Sequence, residues 1–130
     1  MRVLVAYEEA YRSYRDAIVR AIRNHRPHFT VLGITPQEFE SALERFEPDA
    51  VVSSRPSVEY PGGGRVAWVE LPTELSQSGD VCVGGDHDGT VSPNLEKVLS
   101  ALDEAEERLR RGALAECCLA PKLPCGGPAG

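Results

Sequence analysis

The run Val3-Leu-Val-Ala-Tyr7, with Arg2 before it and the acids Glu8 and Glu9 after it, constrains this chain more than any other stretch. Its residues are all apolar, include two β-branched valines, and contain no Gly or Pro. A run that does not alternate with polar residues offers no face to water. It therefore predicts a strand buried on both faces, as in the middle of a parallel sheet. Glu8 and Glu9 fall where that strand ends. In open α/β sheets ligands sit at this carboxyl edge, so these residues mark where a site would stand.

The segments that follow alternate between helical and strand patterns. From Ala10 to about His25, Tyr14, Ala17, Ile18, Ala21 and Ile22 recur at helical spacing and predict one buried face; Arg12, Arg15, Arg20 and Arg23 lie off it and read as solvated. His28 to Ile34 reads as a second strand. Thr35, Pro36 and Glu38 then spell a capping box with Pro at the first helical position, and Ile34 and Phe39 have the spacing of a hydrophobic staple. Phe39, Ala42, Leu43 and Phe46 form the stripe of this second helix, and Pro48 ends it.

Asp49 to Ser54 is a third strand, which makes the order βαβαβ and favours parallel pairing. The prolines and the Gly62-Gly63-Gly64 run between Arg55 and Arg65 exclude a regular helix. Val66 to Leu71 and Val81 to Val83 read as a fourth and a fifth strand, joined by a short polar link, with a loop from Gly84 to Gly89. Ser92 and Pro93 are placed to start a last helix that runs to about Arg111. Its inner stripe is Leu95, Val98, Leu99, Leu102, Ala105 and Leu109. Glu104–Arg108, Glu106–Arg110 and Glu107–Arg111 are acid-before-base pairs one turn apart, each worth about 0.3–0.5 kcal/mol. Residues 1–112 therefore make one domain, and 113–130, rich in Pro and Gly, a flexible tail.

Composition narrows the function classes. With 130 residues, 42% of them hydrophobic, one core is expected. A net charge of −6 argues against nucleic-acid binding, which needs a basic face to neutralise phosphates. No apolar stretch approaches the length of a membrane span or a secretory leader. The expectation is a soluble cytoplasmic protein whose four cysteines are mostly reduced.

Strand, helix, strand, helix, Pro48-Asp49, an apolar strand and an amphipathic closing helix together resemble the receiver domain of bacterial response regulators, over roughly residues 1–111. The resemblance implies a three-layer, flavodoxin-like α/β sandwich with a five-stranded, mainly parallel sheet in the order 2-1-3-4-5. The crossovers around the fourth strand would lack regular helices. In that family the acidic pair after the first strand binds magnesium, and Glu8 and Glu9 stand there. The phosphoacceptor aspartate is replaced: Ser54 stands at or near its place. Where the family has Thr or Ser after the fourth strand and Lys-Pro after the fifth, this chain has Glu70-Leu71-Pro72 and Gly84-Gly85. The resemblance thus implies a degenerate receiver without phosphorelay chemistry: a regulatory or protein-interaction domain, with a protein partner or a second copy of itself as ligand. The basis for a homodimer is a thinly covered sheet edge near Trp68.

The rival expectation is an enzyme or binding protein for a small molecule or divalent ion. If the first and fifth strands point the same way, Glu8, Glu9, Asp86, His87 and Asp88 would meet, and their oxygens would suit magnesium or manganese. Acids and an Asp-x-Asp in a Gly-rich turn are also ordinary surface chemistry. Tyr7, Tyr11 and Tyr14 could stack on a planar ligand or simply pack. Ser53 and Ser54 could contact an anion or merely end a strand. Cys117, Cys118 and Cys125 match no common zinc spacing, and Cys82 reads as a small apolar strand residue.

Overall fold

The computed structural model describes residues 1–54, 67–72, 79–83 and 94–110, and the backbone course of 86–88. Six strands, β1 (Arg2–Ala6), β2 (Thr30–Ile34), β3 (Ala50–Ser53), β4 (Ala67–Glu70), β5 (Asp80–Val83) and β6 (Asp86–Asp88), form one sheet. Its order is β2-β1-β3-β4-β5-β6. Three helices pack on it, α1 (Arg12–His25), α2 (Phe39–Phe46) and α3 (Leu95–Arg110). The expected α/β architecture and the strand order 2-1-3-4-5 are present. The short β6 extends the edge where a loop was expected.

β1 lies between two parallel neighbours, with Val5 opposite Gly33 on one side and Val52 on the other. The strand pleat alternates side chains between faces, so Val3, Val5 and Tyr7 join one core and Leu4 and Ala6 the other. All five are fully buried. The first core is roofed by Ile18, Val19 and Ile22 of α1 and by Val98, Leu99, Leu102 and Ala105 of α3. The second is roofed by Phe39 and Ala42 of α2. This gives three layers, with two helices on one face and one on the other.

β4 is parallel to β3, with Ala50 opposite Ala67 and Ser53 opposite Glu70. β5 then turns back antiparallel, with Ala67 opposite Val83 and Glu70 opposite Asp80. A parallel return takes a crossover of about a dozen residues or more, and the link from Pro72 to Gly79 is too short for one. Gly79 closes this return where a Cβ would run into the carbonyl of Glu70.

The helix ends obey local chemistry. The Glu38 carboxylate accepts from the Thr35 backbone N–H at 3.0 Å and from its hydroxyl at 2.9 Å. These bonds hold the Glu38 carboxyl below its ordinary pKa. The box opens on a 3-10 turn over Pro36–Glu38 before α2 begins, and Ile34 and Phe39 share a core as the staple predicts. α2 runs out at Glu47, which takes a left-handed conformation (φ 49°) just before Pro48. At the start of α3 the cap is Asn94, whose side-chain oxygen accepts from the Lys97 N–H at 2.8 Å. The expected cap residues Ser92 and Pro93 lie outside the described residues.

Other expectations need correction. Leu109 is 41% exposed and does not belong to the inner stripe of α3, where Ala101 is buried as well. Sixteen helical residues span about 24 Å, against about 13 Å for a four-residue strand, so the last turns of α3 overhang the sheet. Glu104–Arg108 and Glu106–Arg110 pair as expected, at 3.2 and 3.5 Å. Glu107 pairs with Arg110; Arg111 and the expected tail, 113–130, lie outside the described residues. Trp68 is buried at 3% exposure against Phe39, so it is not the exposed patch on which a homodimer was expected. Cys82 is buried in β5 but is not a plain thiol: it is disulfide-bonded. Among the described residues no helix is long and apolar enough to cross a membrane.

Candidate functional site

The carboxyl ends of β1, β3 and β4 are knitted together by buried polar bonds. The Leu71 N–H donates to the Ser53 carbonyl at 2.8 Å. The Tyr7 hydroxyl reaches across from β1 and donates to the Leu71 carbonyl at 2.7 Å. The Tyr7 ring is fully buried and meets Tyr14 edge to face, with centroids 5.3 Å apart. Burial, and secondarily the neighbouring Tyr14, pushes the Tyr7 hydroxyl far above its ordinary pKa, so it stays a neutral donor. Tyr7 is therefore part of the wall of the edge, closed to a stacking ligand. Ser53 is also fully buried, and Ser54 is half-buried at the bend that follows. Tyr11 lies exposed in the 3-10 turn over Glu9–Tyr11.

The acidic pair separates. The Glu8 carbonyl opens that 3-10 turn by accepting from the Tyr11 N–H at 2.8 Å. Glu9 is an exposed ion-pair partner, 3.3 Å from Arg12 and 3.7 Å from Arg15. Asp86 and Asp88 sit in β6, opposite Val83 and Val81 of β5. Because β5 runs antiparallel to β4, Asp86 starts at the amino edge of the parallel strands, not at their carboxyl edge. β6 is also four strand positions from β1, about 19 Å at roughly 4.8 Å per strand. The condition for convergence with Glu8 and Glu9, a fifth strand pointing the same way as the first, is thus not met. Among the described residues no three His, Cys, Asp or Glu side chains group closely enough to share an ion.

Arg15, which the helical pattern left on a solvated face, is instead a bracket over this edge. Its side chain is 11% exposed, its guanidinium donates to the Tyr7 carbonyl at 3.3 Å, and it lies 3.7 Å from both Glu9 and Asp16. A long apolar stem laid along the surface with its charged head turned toward acids explains the position. The sequence signal available was only the acids at Glu9 and Asp16 on neighbouring turns.

What the edge does leave open is an apolar cleft between α1 and α3. Tyr14, Ala17, Ile18 and Ala21 form one wall, Leu95 and Val98 the other, with Leu71 and Asn94 at the ends, around a cavity of about 210 Å³. Four of the residues expected inside the α1 core stripe line this cleft, and of these only Ile18 is buried: Tyr14 is half-buried, Ala17 exposed and Ala21 partly buried. Two alanines keep that wall low, and α3 does not come close enough to fill the space. Burial also raises the Tyr14 pKa, so its hydroxyl is neutral. No protein-family model, curated protein or solved structure matches this chain.

Proposed function

We propose that the chain is a non-catalytic interaction domain of receiver-like architecture, which holds a protein partner by inserting one large apolar side chain of that partner between α1 and α3. The observation that carries the reading is the cleft itself: an open, almost wholly apolar slot at the carboxyl edge of the sheet. Size decides between the two expectations. Small-molecule and cofactor sites run to about 300–1,000 Å³ and carry several convergent polar groups. A slot of about 210 Å³ with Tyr14 and Asn94 as its polar members suits an anchor side chain better. Such anchors, seated in a preformed apolar pocket, carry most of the energy of many protein interfaces. Among the described residues Glu9 is already paired with arginines, and β6 stands four strand positions from β1, which favours the anchor over an ion at this edge.

The test is a displayed peptide library selected on the wild-type chain and counter-screened on Ala21→Trp, which fills the slot from its rim. Peptides sharing a single Leu, Phe or Trp anchor should be enriched and should bind the variant at least about tenfold more weakly, a loss of roughly 1.4 kcal/mol. Peptides that bind both proteins equally, or no enrichment at all, would remove the cleft as the docking site.

A further inference from the structure

β2 is an edge strand, and its outer side is laid out as one half of a symmetric pair. The Thr30 N–H donates to the Met1 carbonyl at 3.0 Å, and the Ile34 carbonyl accepts from the Tyr7 N–H at 3.1 Å. Even-numbered residues thus bond inward to β1, so Val31 and Gly33 turn their backbone groups out from the sheet. Among the described residues only one of these groups has a partner: the Arg23 guanidinium donates to the Val31 carbonyl at 2.7 Å. Leu32, between them, stands opposite Leu4 on the α2 side and is 37% exposed. An open edge with an exposed leucine at its centre is a template for another strand.

Two copies of this edge fit each other. When β2 meets itself antiparallel about a twofold axis at Leu32, Val31 of each copy faces Gly33 of the other. These outward residues form the hydrogen-bonded pairs, and every outward N–H finds a carbonyl. Leu32 meets its counterpart in the close, non-bonded position, with Cα atoms about 4.5 Å apart, and both side chains leave water.

The helix above the edge supports the same axis. α1 packs on β1 and β2, with Val19 and Arg15 over Gly33, 3.2 and 3.5 Å from where a Cβ there would stand. It runs back along β2, since Arg23 reaches Val31. Ala17, midway between Arg15 and Val19, is therefore level with Gly33. Leu32 comes one strand residue earlier, about 3.3 Å, or roughly two helical residues, which brings Val19 level with the axis. Asp16 and Arg23 share one flank of α1, seven residues apart, and stand about a turn to either side of Val19. Asp16 of each copy thus comes opposite Arg23 of the other. Both are exposed, and among the described residues Asp16 pairs only with Arg15, at 3.7 Å. Seated over the β1–β2 pair, the two α1 helices lie about two strand spacings apart, roughly 9.6 Å, within the range for packed helices.

We propose that the chain forms a twofold dimer through β2 and the outer flank of α1, joining two sheets into one. In it Arg23 exchanges the Val31 carbonyl for Asp16 of the second copy, which frees that carbonyl for the incoming Gly33 N–H. Tyr14, Ala17 and Ala21 lie on the flank of α1 that faces α3, so the cleft stays open.

Sedimentation equilibrium of the full chain tests the interface. Wild type should pass from monomer to dimer as concentration rises. Leu32→Lys, which sets like charges opposite each other at the axis, should weaken association at least about tenfold. Leu32 is exposed in the single chain, so this change spares the fold, as circular dichroism would verify. Under mild oxidation Leu32→Cys should form a disulfide between the two introduced thiols, mapped by mass spectrometry, because Cα atoms about 4.5 Å apart are within disulfide range. Thr30→Cys should not, since the two copies of that position lie four strand residues apart, about 13 Å. A chain that stays monomeric at the highest concentration would overturn the interface. So would a dimer that Leu32→Lys leaves as tight as wild type, or a Thr30→Cys variant that links as readily as Leu32→Cys.

Discussion

The Tyr7 hydroxyl and the Leu71 carbonyl, 64 residues apart in the chain, are joined by a buried hydrogen bond of 2.7 Å that ties the end of β1 to the end of β4. Both groups are out of water, so the bond is worth most as a penalty avoided. Tyr7→Phe keeps the ring and orphans the carbonyl, at a cost of about 1–3 kcal/mol. For a domain of this size, each kcal/mol moves the thermal midpoint by roughly 4 °C or more. A melt within about a degree of wild type would mean that the carbonyl finds another donor.

The same burial sets a limit at alkaline pH. Tyr7 has a folded pKa raised above its unfolded value, which is near 10. Its contribution is therefore whole below about pH 10 and is lost as the pH rises further, because only the unfolded chain ionises there. Unfolding free energy measured in urea should fall above that pH in wild type and fall less steeply in Tyr7→Phe. Parallel slopes would assign alkaline loss to other groups.

Gly79 carries the turn into β5 in a place with no room for a side chain, since a Cβ would overlap the carbonyl of Glu70. Backbone cannot yield as a flexible side chain does. Gly79→Ala should destabilise the fold by about 1–3 kcal/mol, and amide exchange of Trp68 and Cys82 should accelerate first, because β4 and β5 pair there. An alanine variant with wild-type exchange would show that the return has slack.

Where the fold was legible, the information was local. The unbroken apolar run foretold a strand buried on both faces, as Val3 and Val5 in one core and Leu4 in the other now show, and the Thr35–Glu38 box formed as spelled. The direction of β5 was within reach as well, since the short Pro72–Gly79 link argues for an antiparallel return. The meeting of Asp86 and Asp88 with Glu8 and Glu9 was conditional on a fifth strand parallel to the first, and the antiparallel β5 does not meet that condition. Arg15 and Cys82 were illegible for another reason: each is defined by partners that only the tertiary fold brings near. The cleft was read as core because Ala17 and Ala21 fit an apolar stripe, and a periodicity cannot say whether the facing helix comes close enough to fill the gap.

Glu47 ends α2 at φ 49° and ψ 63°, a conformation that glycine adopts freely. For other residues it costs roughly 1–2 kcal/mol. Its ion pair with Arg2, at 3.5 Å between exposed side chains, returns only about 0–1 kcal/mol. Glu47→Gly loses that pair and about 0.5–1 kcal/mol of unfolded-state entropy, leaving a net gain of about 0.2–0.3 kcal/mol at the middle of these ranges. Glu47→Ala keeps the strain and loses the pair, so it should be no more stable than wild type. Urea midpoints in the order Gly, wild type, Ala are expected; Ala above Gly would refute the strain argument.

Arg26 and Asp103 fasten the end of α1 to α3 through two parallel hydrogen bonds, each 2.7 Å. The bond from Arg26 holds the Asp103 carboxyl below its ordinary pKa, against a smaller opposing effect of burial. A depressed carboxyl pKa contributes stability that is whole above the unfolded value, about 3.9, and that drains away as pH falls through the folded one. Asp103→Asn should therefore melt below wild type at neutral pH, with the gap closing under acid as the wild-type carboxylate is protonated. Arg26→Lys, which keeps the charge but not the two-pronged geometry, should fall between them. If the gap between wild type and Asp103→Asn were the same at neutral and strongly acid pH, the contact would be one of packing, and its charge would have no part in joining the two helices.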